Sequence, residues 1–436
     1  MNKIERENLN TELTLRHKLL RLRAGFQVLR QSNFKKLILI SYFLLLAILW
    51  LLRNPIFKIE KGALLAPFMT AMLGLTIFLF AIIGPFLIIS LMGTPIGAAR
   101  VSNDLRRAGV VNHAGEAPLL LARYKANGNP KVTVLEFESS GISRAMWEDK
   151  RAKIETALNV HIAHIKDGAD RRKILLHTVN AGAGLPSILH WQDKYLNKGN
   201  FVLALGESLP GTVEVNLAHI PHMLLGGATG SGKSVLLKLL LMQCLQKGAI
   251  VSIADFKGGV DFPKIWHEKC RMCFDEADLL ELLSGIVDEL ERRKVVLSDS
   301  GHPNIDEYNN VTGAGLPRLI FACDEVAELL DKNGRTKEDK ELISKIENKL
   351  SVIARQGRAL GVHMILSTQR PDATILSGQI RSNIDCRVCG RADNVLSQII
   401  LDNTDASELI PKDARGRFLL HDGTIFQSYM FDEESL

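Results

Sequence analysis

Gly227-Ala228-Thr229-Gly230-Ser231-Gly232-Lys233-Ser234 is the stretch that decides how this 436-residue chain is read. Glycine at its first and sixth places, followed by Lys and Ser, is the pattern of a loop that wraps around phosphate. The strand-like His222-Met223-Leu224-Leu225 precedes it, and Val235-Leu236-Leu237-Lys238-Leu239-Leu240-Leu241 opens a helix after it. Strand, loop and helix in that order are the setting such a motif needs. Glycines at 227, 230 and 232 allow a tight wrap, so that backbone N–H groups and the helix terminus meet the anion. Lys233 brings a positive charge to the β- and γ-phosphates, and the Ser234 hydroxyl is a ligand for Mg²⁺. The expected phosphate-contacting set is Gly227, Ala228, Thr229, Gly230, Ser231, Gly232, Lys233, Ser234 and Val235, with ATP and Mg²⁺ as the implied ligands.

Two further strand signals lie downstream. Leu319-Ile320-Phe321-Ala322-Cys323 ends in Asp324-Glu325, and a carboxylate at the end of a buried strand can hold a metal shell. Asp324 takes the metal side and Glu325 the role of general base. Met364-Ile365-Leu366-Ser367-Thr368-Gln369 is another apolar strand with a polar tip, and Gln369 there can sense the γ-phosphate or position water. Arg355 and Arg358 precede it. Spacing alone leaves two readings for them, a charge serving a neighbouring subunit's pocket or a solvated helix surface.

Working back toward the amino terminus, the composition divides the chain. Leu37–Leu52 is uncharged and apolar, and Ala63–Met92 is a second such run of 30 residues. As a helix the second is ~45 Å long against a hydrocarbon core of ~30 Å, so it must tilt, bend near Gly84-Pro85, or leave one end in the interface. Two runs joined by a short polar loop predict two membrane spans. The first 36 residues carry nine Lys and Arg, the loop only Arg53, Lys58 and Lys61. Basic flanks stay inside, so the amino terminus and everything after Met92 are expected to be cytoplasmic. Around Leu15, Leu19, Leu22, Phe26 and Leu29 the leader reads either as a basic amphipathic helix on anionic lipid or as a solvated helix.

Between span and loop, Val132–Phe137, Val160–Ile165 and Ile174–Val179 read as strands and Ser143–Leu158 as a helix, a small α/β adaptor. Asp331–Lys349 reads as a solvated helix or loop. Of six cysteines, Cys270 and Cys273, and Cys386 and Cys389, form Cys-x-x-Cys pairs. They lie too far apart for a zinc ribbon, so buried small hydrophobes are expected, with the thiols of Cys386 and Cys389 on opposite faces or buried. A net charge of +6 permits nucleic acid or anionic lipid as a partner without demanding either.

Pro221-His222-Met223-Leu224-Leu225-Gly226-Gly227 leading into the loop resembles the FtsK/SpoIIIE family of DNA-translocating ATPases. Gly357-Arg358-Ala359-Leu360-Gly361-Val362-His363, Ser367-Thr368-Gln369-Arg370-Pro371, Ile380-Arg381-Ser382-Asn383-Ile384 and Ile400-Leu401-Asp402 do so too, in the family's order. The resemblance covers about residues 200 to 430. It implies an α/β fold with a RecA-like P-loop motor, usually hexameric, that pumps DNA through a central channel. It also implies a role in trans for Arg358, a place near the site for Asp255 and Lys257, and a DNA-phosphate contact for Arg381.

Septal translocases of that family carry about four spans, a long linker and a winged helix. Here two spans, a small adaptor and one motor look more like the coupling proteins of conjugative plasmids and integrative elements. The expected plan is a basic leader over residues 1–36, two transmembrane helices over 37–92, an adaptor over 93–200 and the motor over 201–436. The implied partners are DNA, the membrane, a homo-hexamer, and relaxosome and secretion-channel proteins. Two alternatives differ in cargo or site, a translocase for chromosome segregation or sporulation and a type VII protein-secretion ATPase. The second usually has tandem motors, and one phosphate loop is found here.

Overall fold

The computed structural model describes residues 17–30, 32–53, 65–127, 129–369 and 378–433. Residues 1–16 and 31 of the basic leader, Lys58 and Lys61 of the inter-span loop, and Arg370-Pro371 lie outside the described residues. The chain forms two compact units, Met1–Ala183 and Gly184–Leu436.

In the first unit, α1 covers residues 17–30, α2 is Asn33–Leu51 and α3 is Ala66–Met92. Both α2 and α3 are long and apolar enough to cross a membrane. Only 0 and 11 % of their apolar windows is buried inside the chain, which excludes a protein-core role for them. α3 runs unbroken through Pro85. The absence of a side chain at Gly84 lets Tyr42 of α2 approach, and its hydroxyl donates to the Phe80 carbonyl at 2.8 Å.

After α4 (Ala98–Arg107) comes an antiparallel sheet in the order β1 (Leu119–Ala126), β2 (Asn129–Glu138), β4 (Lys173–Asn180), β3 (Val160–Asp167). The strand β1 was not read from the sequence. The expected helix over Ser143–Leu158 is two helices, α5 (Arg144–Asp149) and α6 (Arg151–Leu158), broken at Lys150. Tertiary contacts override propensity there, because the Lys150 ammonium is drawn to the Gly109 carbonyl. Trp147 and Ile154 both reach the core with Leu105, Phe137 and Leu176.

The second unit is one ten-stranded sheet in the order β6-β5-β14-β13-β12-β7-β11-β10-β8-β9. Its strands are β5 (Val202–Ser208), β6 (Thr212–Asn216), β7 (His222–Gly226), β8 (Ile250–Ala254), β9 (Arg271–Cys273), β10 (Leu319–Cys323), β11 (Val362–Thr368), β12 (Cys386–Cys389), β13 (Arg417–Leu420) and β14 (Ile425–Ser428). From β12 to β9 every pairing is parallel, and the far side is antiparallel. Strands buried on both faces split their side chains between two cores by alternation. Met223 and Leu225 face α7 (Lys233–Gln246) and α8 (Lys264–Lys269), while Leu224 faces the opposite layer. Cys386 and Cys389 divide in the same way and are both buried, with burial pushing both thiols up to about 12. Among the described residues no His, Cys, Asp and Glu group could hold a metal as a cluster.

The opposite layer is built by α9 (Glu276–Ser300), α10 (Ile305–Thr312), α11 (Val326–Leu330) and α12 (Lys337–Leu360). The stretch Asp331–Lys349, read as a solvated helix or loop, is helical from Lys337 and contributes the first half of α12. A capping box of Thr336 and Asp339 starts that helix, and Ile343, Ile346 and Leu350 bury one stripe packed against α9. The boundary read at residue 200 also moves, to 183/184. Leu189, Trp191 and Tyr195 pack on the motor core, where the Tyr195 ring stacks on Tyr429 at 4.5 Å.

Candidate active site

Strand order makes this site. The loop strand β7 and the acid strand β10 are separated by β11, so the C-terminal ends of β7, β11, β10 and β8 stand in a row. They present, in turn, the glycine loop, Ser367 to Gln369, Asp324-Glu325 and Asp255 to Lys257. Crevices at the carboxyl ends of parallel strands are where ligands bind in such sheets.

The loop from Gly227 to Gly232 links β7 to the first turn of α7, whose leading amides by helix geometry have no internal acceptor. Gly232 sits at φ +98°, a left-handed position that admits glycine without strain, and a Cβ there would press on Gly416. At Gly227 a Cβ would come within 2.5 Å of the Ser231 hydroxyl oxygen. The loop is held from outside as well. The Ala228 amide donates to the Arg391 carbonyl at 2.7 Å, the Arg391 guanidinium donates to the Thr229 carbonyl at 2.6 Å, and the Gly416 amide donates to the Ser231 carbonyl at 2.8 Å. Ser231 Oγ is buried and has no partner among the described residues. Val235, in the first turn of α7, is 41 % exposed.

Lys233 is 4 % exposed and Asp324 2 %, so their charges meet in a low-dielectric environment. Lys233 Nζ donates to the Asp324 carbonyl at 2.7 Å and to Ser367 Oγ at 2.6 Å, with Asp324 Oδ1 at 3.5 Å. Ser234 Oγ donates to Asp324 Oδ1 at 3.1 Å, and Lys257 Nζ donates to Asp324 Oδ2 at 3.0 Å. Burial on its own would raise the Asp324 carboxyl; the Lys233 and Lys257 charges and the Ser234 hydroxyl outweigh it and hold the group below its ordinary value. Burial lowers the Lys233 ammonium, with Asp324 and Glu325 opposing. Burial also works against the Lys257 charge, yet its bonds to Asp261 and Asp324 leave it raised. One buried carboxylate is therefore kept ionised between two ammonium groups.

Glu325, 8 % exposed, is clamped by the tip of β11. Its carboxylate accepts from Thr368 Oγ1 at 2.7 Å and from the Gln369 amide at 2.9 Å. Gln369 Oε1 in turn accepts from Thr229 Oγ1 at 2.8 Å, which joins the sensor strand to the glycine loop. Asp255 accepts from the Lys257 and Gly259 amides at 2.9 and 3.1 Å and so shapes the turn that delivers Lys257. The structure thus brings together Lys233, Ser234, Asp324, Glu325, Gln369, Asp255 and Lys257.

It does not bring Arg358 to that cluster. Arg358 is exposed on the last turn of α12, which leads into the start of β11, whereas Gln369 follows its end. Seven extended residues put these two ends ~20 Å apart. Arg381 is half-buried at the end of α13 (Gly378–Arg381), where its carbonyl accepts from Arg387 at 3.1 Å. Two residues were missed as site members. Ser367 bridges Lys233 and the Asp324 carbonyl, and its place two residues before Gln369 on one strand was the available signal. Arg391 is 162 positions from Thr229 in the chain, and no local pattern points to it.

The donor set fits the groups it implies. Phosphate suits the glycine cradle and Lys233, and a hard cation suits the Ser234 hydroxyl and the Asp324 carboxylate, both oxygen donors. A parallel sheet with a glycine loop on one strand, paired acids two strands away and a polar sensor between them defines a P-loop ATPase. The sequence pattern of the FtsK/SpoIIIE family matches residues 190–373, so the chain carries an FtsK/SpoIIIE-family domain. The DNA translocase SftA of Bacillus subtilis (strain 168) is 31 % identical over 229 residues, covering 50 % of this chain and 23 % of SftA. The chain thus spans about a quarter of the length of that relative. The structure of the pCW3 conjugation coupling protein TcpA, a monomer form with ATPγS, is similar at 34 % identity and a TM-score of 0.57. It covers 78 % of this chain and 96 % of its own. The cytoplasmic domain of the type VII secretion ATPase EccC from Thermomonospora curvata aligns at 24 % identity and a TM-score of 0.45. That match covers 56 % of this chain and 31 % of the EccC chain.

Proposed function

We propose that this chain is a membrane-anchored, ATP-driven DNA translocase acting as the coupling protein of a conjugative, type IV secretion DNA-transfer system. The observation that carries this reading is the extent of the likeness to TcpA. It covers 78 % of the chain, more than the motor unit Gly184–Leu436 supplies, and nearly all of TcpA. The likeness to SftA supports DNA as the cargo but covers only half of the chain.

In this reading the glycine loop and Lys233 bind and orient the ATP phosphates. Mg²⁺, held by Ser234 and Asp324, supplies charge neutralisation on the phosphate oxygens when bound. Glu325, fixed by Thr368 and Gln369, takes the proton of the attacking water, and Gln369 links the state of that carboxylate to the loop through Thr229. Arg358, too far from its own pocket, serves the pocket of the next subunit in a hexamer. Arg381 contacts the DNA backbone. With basic flanks inside, α2 and α3 form a two-pass anchor in the inner membrane, and the motor works on its cytoplasmic side, beside relaxosome and channel proteins.

The test is DNA transfer between cells carrying Lys233→Ala at wild-type expression. Transfer is expected to fall by at least 1,000-fold, within the range that transition-state charge contacts control. Undiminished transfer overturns the reading.

A further inference from the structure

In the first unit, α1, the end of α3, the strands β1 and β2 and the turn that leads into β4 enclose a cleft of about 1050 Å³. Its walls are held in place by specific contacts. The Arg21 side chain, 8 % exposed, donates to the Leu120 carbonyl of β1 and fixes α1 to the sheet. Gly25 of α1 meets the backbone at Ile89, and Gly93 meets the backbone of α1, so closely that neither position has room for a Cβ. Lys35 Nζ reaches the Met92 carbonyl, the last residue of α3, at 3.4 Å.

The cleft is two-sided in its chemistry. Arg23, Lys35, Arg123, Arg172 and Lys173 line it with cations. Lys173 is engaged by Glu136 at 2.7 Å, while Arg23, Arg123 and Arg172 make no ion pair among the described residues. Leu19, Leu20, Val28, Met92 and Ile96 line it with apolar surface, and Ile96, four residues past the end of α3, is 94 % exposed. If α3 crosses the membrane, its end at Met92 sets the cleft at the level where lipid headgroups meet acyl chains. Unpaired guanidinium groups beside an exposed aliphatic patch at that depth match a phosphodiester with attached chains. A cleft of this size takes a headgroup, and its aliphatic wall favours a phosphodiester that carries acyl chains over a nucleic acid backbone, which gains nothing from that wall.

We propose that this cleft binds the headgroup of an anionic phospholipid, with Arg23, Arg123 and Arg172 on the phosphate and Met92 and Ile96 against the acyl chains. The proposal rests on the reading of α2 and α3 as membrane spans. It ties the adaptor to the lipid surface by a contact separate from the spans and gives the protein a preference for negatively charged bilayers.

The test uses the full chain in neutral detergent with fluorescent phosphatidylglycerol as the probe. Saturable binding is expected, displaced by unlabelled phosphatidylglycerol and not by phosphatidylcholine. Each basic group near an anionic headgroup contributes about fivefold (~1 kcal/mol), so Arg23→Ala, Arg123→Ala and Arg172→Ala together weaken binding by about 100-fold. The same three positions changed to Lys keep it within about fivefold, which separates loss of charge from loss of fold. Wild-type affinity in the triple Ala chain overturns the proposal. Displacement by glycerol 3-phosphate at the same concentration as by phosphatidylglycerol, or by a DNA duplex, overturns it in favour of a soluble phosphate ester or nucleic acid. Alkaline carbonate extraction of cell membranes keeps the two readings apart. A chain released by carbonate removes the span reading and this proposal with it; a chain retained by carbonate that ignores the lipid removes this proposal alone.

Discussion

Asp324 is the residue on which the site turns, because three donors converge on one nearly buried carboxylate. Lys257 contributes one of the two cations that keep it ionised, and it comes from the turn after β8, which carries no part of the phosphate loop. Replacing Lys257 by Ala removes a positive charge next to an acid, so the Asp324 carboxyl must move up. The direction follows from linkage. A carboxyl held low stays ionised until the pH falls well below the usual carboxylate range, and loss of the cation shifts that protonation to higher pH. The acid limb of kcat/KM against pH is therefore expected to move upward in Lys257→Ala, with nucleotide affinity retained at pH 8. An unmoved limb would show that Lys257 does not set the charge state of Asp324. The phosphate loop, Asp324, Glu325 and Gln369 were legible because each sits at the end of an apolar strand, where local pattern and chemistry coincide. Ser367 had a signal that was passed over, its place two residues before Gln369, whereas Arg391 had none, since its role arises from neighbours brought together by β7 and β12, a pairing that spacing along the chain does not encode.

Among the elements, legibility followed periodicity. The strands β7, β10, β11 and β12 read clearly as short apolar runs. Alternation also put Cys386 and Cys389 either on opposite faces or in the interior, and both thiols are buried, one in each of the two cores. The first half of α12 was read only as a solvated helix or loop, because charges at Lys337, Glu338, Asp339 and Lys340 dominate its first turn and only Ile343 and Ile346 are buried before Leu350, where the buried stripe continues through Ile353 and Ala354 to Leu360. A stripe that narrow belongs to an amphipathic helix packed on one neighbour, and α9 is that neighbour. The break between α5 and α6 at Lys150 was equally hidden, since nothing in the local sequence forbids a continuous helix there. The strand β1 escaped notice because its outer half, Arg123, Tyr124 and Lys125, is exposed and charged at the sheet edge. Edge strands lose the alternation that marks inner ones.

At the scale of the molecule, fold class and family were readable from the chain, while assembly and cargo are inferences from how the site is built. Arg358 lies at the opposite end of β11 from Gln369, ~20 Å away along the strand, and the proposed ring is the arrangement that would give it a catalytic place. Subunits with Lys233→Ala lack the phosphate contact, and subunits with Arg358→Ala lack the charge for a neighbour. Mixed in equal amounts, they are expected to regain a measurable part of the hydrolysis that neither shows alone, because some boundaries then pair an intact loop with an intact arginine. A mixture as inactive as its parts would remove the trans role of Arg358. The central claim is that ATP hydrolysis here serves movement along DNA, and its most direct test is the ATPase rate of the full chain in detergent with and without duplex DNA. The account predicts a severalfold rise in kcat on adding DNA and loss of both basal and stimulated rates in Lys233→Ala. A rate indifferent to DNA, in a chain whose hydrolysis still depends on Lys233, would contradict it.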